Sequence, residues 1–554
     1  MSFVQAAAEL GNQYRDDRVL RSHLQRCLPA PMRDSIAPEL DELGAHAALA
    51  WQRERGRSAC EPQLTPWDSQ GNRIDRIELT PAWIESRGLA ARLGLVAAGH
   101  EDTYAQHGRT HQFALVYLHH VASAFFTCPL AMTDGAATCI KAAANTELLA
   151  RAWPRWLSRD PEQFWISGQW MTETPGGSDV GNSETEARQD ATGQWRLYGR
   201  KWFTSAVQAD TALALARPAG AGPGAESLSL FYLEPRDAQG RWQGVQINRL
   251  KPKLGTRELP SAETELVGIA GTPVNGIGHG VRSIAPMLNV TRSWNAVCAI
   301  ATLRRALALA RDYATRRRAF GKLLAEQPLH QATLADLQAD FEAAFQLTFE
   351  VVGLLGRAQH DQASDDERLL LRLLTPLAKL WTGKLAVAIT SEAIECFGGA
   401  GYIEDSGLPQ LLRDAQVLPI WEGTTNVLSL DVLRVLRQPA ALDSWRRALD
   451  RLLDAVGAAE LKNAAAAVRT QAMSLPTAIA ALAAEPARLE AAAREIALAL
   501  ARHFAAALLL RQGDWSLRHE GDPRTAAAAR RFIGRSRAAM LDRYDDAALL
   551  VLER

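Results

Sequence analysis

The chain has 554 residues, 47% of them hydrophobic and 22% charged. It is too long for a single hydrophobic core and ordinary in composition for a globular protein. Lys and Arg together equal Asp and Glu at 62 each, so no global field favours nucleic acid or an anionic membrane, and only a local patch could do so.

The first residues, MSFVQAAAELGNQYRDD, lack the cationic start and apolar core of a signal peptide. No apolar run approaches the roughly 20 residues of a membrane helix, so a cytoplasmic location without membrane contact is expected. The six cysteines, Cys27, Cys60, Cys128, Cys139, Cys298 and Cys396, form no CxxC pair. That excludes the usual zinc spacing and a disulfide framework, suits a reducing compartment, and predicts no metal site.

Residues 1–165 read as a helical domain, punctuated by Pro and Gly from Glu61 to Pro81; there Trp67-Asp68-Ser69-Gln70-Gly71-Asn72 has the makeup of an exposed turn. Residues 166–280 read as a small antiparallel β domain. Its strands are expected at Trp195 to Phe203, Thr211 to Ala216, Ser227 to Leu233 and Val245 to Leu250, short runs bounded by Gly, Pro, Asp and Asn. Residues 281–437 return to helical spacing, with Ala296 to Ala314 and Leu334 to Arg357 carrying apolar residues three and four apart. Glu367 to Cys396 predicts a further helix, open to a break near Pro376 and ended by Gly398-Gly399. Residues 438–554, rich in Ala and Leu, predict an all-helical extension.

Three segments carry chemistry. In Met171-Thr172-Glu173-Thr174-Pro175-Gly176-Gly177-Ser178-Asp179, adjacent glycines with hydroxyl residues free backbone N–H groups to face a ligand, although the same letters make a plain loop. In Lys201-Trp202-Phe203-Thr204-Ser205, strand alternation could set an aromatic ring and a hydroxyl on one face, as a flat heteroaromatic ligand requires; an amphipathic strand with core aromatics would read the same. In Ile420-Trp421-Glu422-Gly423-Thr424-Thr425-Asn426, a carboxylate between apolar neighbours suits a general base for a weakly acidic C–H, or a Glu favoured by a helix start.

The order of these segments resembles the acyl-CoA dehydrogenase superfamily, and within it the AidB branch named for the response to DNA alkylation. Thr172-Glu173 and Ser178-Asp179 match its Thr-Glu, four residues, Ser-Asp signature. The Lys-Trp-Phe-x-Ser segment, Arg317-Arg318-Ala319-Phe320-Gly321, Phe397 to Tyr402, Leu412-Arg413-Asp414-Ala415 and the Trp-Glu-Gly-Thr motif follow in the family's order. The branch resemblance extends to Trp67-Asp68 through Asp75 and to the tail after residue 438.

The resemblance implies an α+β fold of the acyl-CoA dehydrogenase type: an N-terminal helical domain, a small antiparallel β domain and a C-terminal helical bundle, here with an extra helical extension. It implies FAD held without a covalent bond. Met171, Thr172 and Ser178 would lie at the cofactor, with Phe203 and Ser205 by the ring. Arg317, Phe320 and Gln327 would reach the FAD of a neighbouring subunit in a homotetramer, and Gly398, Gly399, Thr424 and Asn426 would complete the cofactor site. Glu422 would be the catalytic base, with Ser178 and Arg292 toward an acyl-CoA thioester. An electron-transfer flavoprotein would accept the electrons. Two positions depart from the family pattern, Asn289 where many members have Asp and Glu395 where many have Gln, and both bear on how the thioester is held.

The extension, 438–554, has 17 basic and 14 acidic residues, 17 − 14 = +3. Arg524, Arg530, Arg531, Arg535, Arg537 and Arg543 cluster in it, with Arg524, Arg531 and Arg535 spaced for one helical face and Gly534 interrupting the run. A solvated face is one reading. The other is weak, non-specific binding of double-stranded DNA, as an AidB-like protein of the alkylation response with little turnover would require. A third reading keeps the FAD and only sequesters acyl-CoA.

Overall fold

The computed structural model describes residues 5–54 and 60–535. Among them the chain forms two compact units, each gathered from separated segments: a helical one of residues 5–54, 103–118 and 295–535, and a mixed one of residues 60–102 and 119–294.

The mixed unit is built on nine strands. β1 (Gln63–Trp67) and β2 (Arg73–Glu78) form an antiparallel hairpin, so the expected exposed turn is the tip of a two-stranded ribbon. Asp68 closes that tip by accepting from the backbone N–H groups of Gln70 (2.9 Å) and Asn72 (2.8 Å). Asp75 ties the ribbon down, accepting from the Ile247 N–H at 3.0 Å and the Arg73 guanidinium at 2.8 Å. β3 (Ser167–Trp170), β4 (Glu186–Gln189), β5 (Trp195–Ser205), β6 (Thr211–Pro218), β7 (Ser229–Leu233), β8 (Val245–Leu250) and β9 (Ser261–Pro273) make one sheet. Its order is β3-β6-β4-β5-β9-β7, and β7 also pairs with β6, which closes a ring. Closure leaves few strand edges unpaired.

Antiparallel pairing dominates, but β6 runs parallel to both β3 and β4, a departure from the antiparallel expectation. β9, the long strand that joins the sheet's halves, matches none of the expected runs because charged and small residues interrupt its apolar pattern. Alternation along β6 is clean. Ala212, Ala214 and Ala216 point into the ring with Phe231 and Leu233, whereas Leu213 and Leu215 face a layer of helical residues that includes Ile140, Trp156 and Met287.

The helical unit is organised around the Ala493–His519 helix, buried on every side from Phe504 to Leu510 and packed against the Pro328–Gln359, Asp365–Phe397, Thr425–Leu436 and Arg524–Gly534 helices. The Asp365–Phe397 helix starts with a capping box between Ser364 and Glu367 and three acidic residues in its first turn. It runs unbroken through Pro376, so of the two readings left open there the continuous helix holds. Leu373, Leu374, Leu377, Ala378 and Leu380 are all buried around the proline, and their packing outweighs the single lost backbone bond. Among the described residues no helix is long and apolar enough to cross a membrane, and no cluster of side chains is arranged to hold a metal.

Candidate active site

In the mixed unit, the predicted residues collect on the outer face of β5. Lys201 pairs with Thr264 and Thr204 with Ala262, so two residues, Trp202 and Phe203, are fitted between pairs that should leave room for one. This bulge turns Phe203 outward, 53% exposed, with Ser205 following on the same side while Thr204 stays buried. Lys251 lies beneath the bulge, its Nζ 3.7 Å from the Trp202 ring centre and 4.5 Å from that of Phe203. Glu263 holds the same ammonium at 2.8 Å. The Arg249 guanidinium beside it, with Lys251, keeps the Glu263 carboxyl below its ordinary range.

The loop after β3 is fastened to this strand. The Trp202 N–H donates to the Thr172 carbonyl at 2.9 Å. Gly177 lies so close to Thr172 that a Cβ there would sit 2.6 Å from its hydroxyl. Glu173 turns the other way, into the interior. It accepts from Lys201 Nζ at 2.6 Å, from the Thr185 hydroxyl at 2.6 Å and from the Glu184 N–H at 2.6 Å. Lys201 donates in turn to the Leu215 carbonyl at 2.9 Å. Burial raises the Glu173 carboxyl, but the Lys201 charge and these donors outweigh it and the net shift is downward. Burial likewise pulls Lys201 down, against the pull of Glu173. Met171 is packed at the margin of the apolar layer, Ser178 is exposed on the loop, and Arg292 is half-buried on the Gly280–Arg316 helix.

In the helical unit, Glu422 stands on a backbone turn in the left-handed region (φ 58°), with Gly423 after it (φ 106°). Few residues other than glycine adopt that conformation, and such strain concentrates at functional sites. The turn is held from several sides. Lys379, fully buried in the middle of the Asp365–Phe397 helix, donates to the Gly423 carbonyl at 2.6 Å. Gly383, one turn on, lets the Leu418 carbonyl approach within 3.0 Å of where a Cβ would stand. With its amide turned to satisfy both groups, Asn295 donates to Leu418 O at 3.2 Å and accepts from the Trp421 indole. Thr424 then caps the Thr425–Leu436 helix, its hydroxyl accepting from the Val427 N–H at 3.4 Å. Thr424 and Asn426 are exposed at that helix start and Glu422 is half-buried.

Gly398 (φ 62°) and Gly399 end the preceding long helix with open space where side chains would be, and Phe397 before them stacks on Tyr313 at 4.1 Å. Arg317, Phe320 and Gln327 lie on or beside a second hairpin, β10 (Arg318–Ala319) and β11 (Lys322–Leu323). Its two-residue turn, Phe320 (φ 50°) and Gly321 (φ 79°), has the sign pattern of a type I′ turn. Phe320 is 99% exposed at the tip, and Gln327 braces the base by donating to the Ala319 carbonyl at 3.1 Å.

Motif reading reached the residues that face outward and missed those beneath them: Lys251, Ser261, Lys379 and Asn295. Lys379 had a signal, a lone charge within Leu374-Thr375-Pro376-Leu377-Ala378-Lys379-Leu380-Trp381. Ser261 had none, being 56 positions from its partner Ser205.

The arginine face of the extension is engaged within the chain. Arg524 pairs with Asp522 (2.7 Å), Arg530 with Glu460 (2.9 Å), Arg531 with Asp336 (2.5 Å) and Arg535 with Asp340 (2.8 Å). The helix ends at Gly534, and Arg537 and Arg543 lie outside the described residues.

Four family descriptions match in succession: the N-terminal domain of the adaptive response protein AidB (residues 5–162), the acyl-CoA dehydrogenase middle domain (168–268), the acyl-CoA dehydrogenase C-terminal domain (278–437), and an acyl-CoA dehydrogenase 11 C-terminal domain-like region (440–542). The class is therefore that of the acyl-CoA dehydrogenases, FAD-dependent oxidoreductases. Acyl-CoA dehydrogenase family member 11 of Caenorhabditis elegans is 41% identical over 94% of this chain and 87% of its own, and putative acyl-CoA dehydrogenase AidB of Escherichia coli is 34% identical over 73% and 74%. A structure of C. elegans ACDH-11 in complex with C11-CoA superposes with a TM-score of 0.94 at 37% identity, covering 100% of this chain and 97% of that one. The chain belongs to the acyl-CoA dehydrogenase family.

Proposed function

We propose that this protein binds FAD without a covalent bond and dehydrogenates an acyl-CoA thioester at its α and β carbons, with Glu422 as base. The observation that carries the reading is the Glu422 turn, a carboxylate kept on strained backbone by a buried lysine. The residues fit the cofactor: an exposed ring and hydroxyl on β5, and two glycines with nothing within 4 Å of a built Cβ. Phe203, Ser205, Met171 and Thr172 would hold the flavin ring, and Gly398, Gly399, Thr424 and Asn426 the rest. FAD, when bound, supplies the acceptor for the electron pair and the β-hydrogen.

Glu422 takes the α-proton, and the saturated thioester becomes a trans-2-enoyl thioester. The protein's task is to keep that carboxylate aimed at the substrate, which the Lys379 bond to Gly423 and the Asn295 bonds to Leu418 and Trp421 serve by fixing the backbone turn that carries it. Ser178 and Arg292 would serve the thioester's polar groups. An electron-transfer flavoprotein would reoxidise the enzyme, in the cytoplasm.

A homotetramer accounts for the exposed hairpin tip. Phe320, Leu329, Tyr402 and Ile403 are large apolar side chains at the surface, and a neighbouring subunit would cover them while receiving Arg317 and Gln327 beside its cofactor.

The test is an anaerobic titration of the yellow protein with a panel of straight and branched acyl-CoAs. Bleaching of the flavin absorbance by at least one member is expected. A protein that carries FAD and is bleached by none would overturn the dehydrogenase reading in favour of sequestration.

A further inference from the structure

The hydroxyl of Ser205 belongs to a hydrogen-bond chain whose direction follows from which of its members is buried. Ser205 on β5 and Ser261 on β9 are cross-strand partners, their Oγ atoms 3.1 Å apart. Lys253 Nζ donates to Ser261 Oγ at 3.1 Å and to the Leu259 carbonyl at 2.6 Å. An ammonium group only donates, so Ser261 Oγ is an acceptor toward Lys253. Either serine could donate to the other. If Ser205 did, the Ser261 proton would be left in the interior, where only 3% of that residue is exposed, with no acceptor among its contacts. A buried donor without a partner is the costly case. The arrangement that satisfies the buried group runs from Lys253 to Ser261 to Ser205. It leaves the proton of the half-exposed Ser205 directed to the outer face of β5, beside Phe203.

We propose that Lys253 and Ser261 are positioning residues that make Ser205 a fixed donor to an acceptor atom of the bound flavin, with the Lys253 charge at the far end of the chain. The inference rests on the FAD reading above. A donor backed by positive charge favours the reduced flavin, on which negative charge develops, over the oxidised one. Ser261 touches no ligand itself, so its effect must pass through Ser205.

The experiment measures flavin midpoint potential by anaerobic titration against a reference dye, together with the visible flavin spectrum. It uses the FAD-loaded full chain and its Ser261→Ala, Ser261→Thr, Ser205→Ala and Ser205→Ala/Ser261→Ala variants. Ser261→Ala leaves the Lys253 bond to Leu259 in place, which keeps the loop anchored. It is expected to disfavour reduction about tenfold, about 30 mV for a two-electron couple. Ser261→Thr should restore the parent value, and the double variant should shift no further than Ser205→Ala alone. An unchanged potential and spectrum in Ser261→Ala, or a full additional shift from it in the Ser205→Ala background, would overturn the relay. A parent protein that takes up no FAD would overturn the flavin reading itself, and the relay with it.

Discussion

Two groups of candidate residues, one in each compact unit, are secured by different physics. In the mixed unit the loop after β3 and strand β5 are joined by a buried charge pair, Glu173 with Lys201, whose side chains are 2% and 0% exposed. In the helical unit Glu422 depends on strained backbone, kept in place by hydrogen bonds to the carbonyls around it. The first device is strong but intolerant, because either charge alone in the interior is worse than neither. The second is local, and holds a single carboxylate without committing the fold to it. Substitutions at the Glu173–Lys201 pair should therefore be read in stability, and those at the Glu422 turn in rate.

The largest effect is expected at the base. Glu422→Gln keeps the shape and cannot take a proton, so flavin bleaching by any active acyl-CoA should slow by about 10²–10⁴-fold, with FAD content and melting temperature unchanged. Undiminished bleaching would place the base elsewhere. Glu173→Gln should show the opposite pattern: about 3–5 kcal/mol of stability lost in urea titration, since Lys201 is left buried without its counter-charge. Glu173→Gln with Lys201→Met should recover most of that loss. If the double variant is as unstable as the single one, the pair is not what fastens the loop.

The same contrast has a pH signature. The Glu173 carboxyl is held below its ordinary value of 4.5 in the folded protein. A lowered carboxyl pKa means that its stabilisation is fully present above the ordinary value and is lost as pH falls through the folded one. The parent protein should lose stability below about pH 4.5 more steeply than Glu173→Gln/Lys201→Met, as followed by far-UV circular dichroism. Identical acid limbs for the two proteins would count against the coupling.

A smaller effect is expected at Lys379. Lys379→Met keeps the volume and removes the donor to Gly423, so the Glu422 turn can relax. Turnover should fall by about 10–10²-fold, the scale of a misplacement of about an ångström. FAD content should be retained.

How much of this was legible depends on how the interactions lie along the chain. Glu422, Phe203, Ser205 and the glycine pair occur in short consecutive motifs, so their order identified the family and its outward-facing residues. The helices were legible from spacing to within a few residues at most ends. What held the motifs in place was not: Ser205 meets Ser261, Glu173 meets Lys201 and Glu422's turn meets Lys379 only through the sheet and helix packing. The bulge at Trp202–Phe203 depends on the register against β9, a strand hidden by its own charged residues. Pro376 shows the converse, a local signal for a break that buried neighbours overrule.

The extension supplies the smallest and most instructive effect. Its arginines resemble a nucleic-acid face in the sequence, and a duplex-binding surface needs guanidinium groups available to phosphate. Arg524, Arg530, Arg531 and Arg535 are each within 2.9 Å of a carboxylate, with side chains 34–68% exposed. To bind phosphate they would have to give up those partners, so the face should act as a neutral one. Reversing Arg530 and Arg531 to Glu should cost no more than about 1 kcal/mol per pair, because exposed ion pairs contribute little, and the loss should shrink further at high salt. Gel-shift titration of duplex DNA at low salt should show no dependence on these residues. Strong retardation that the reversals abolish, with a log–log salt slope of roughly −0.9 for each phosphate contacted, would mean that DNA outcompetes the internal carboxylates. The extension would then be a functional face of its own within the helical unit.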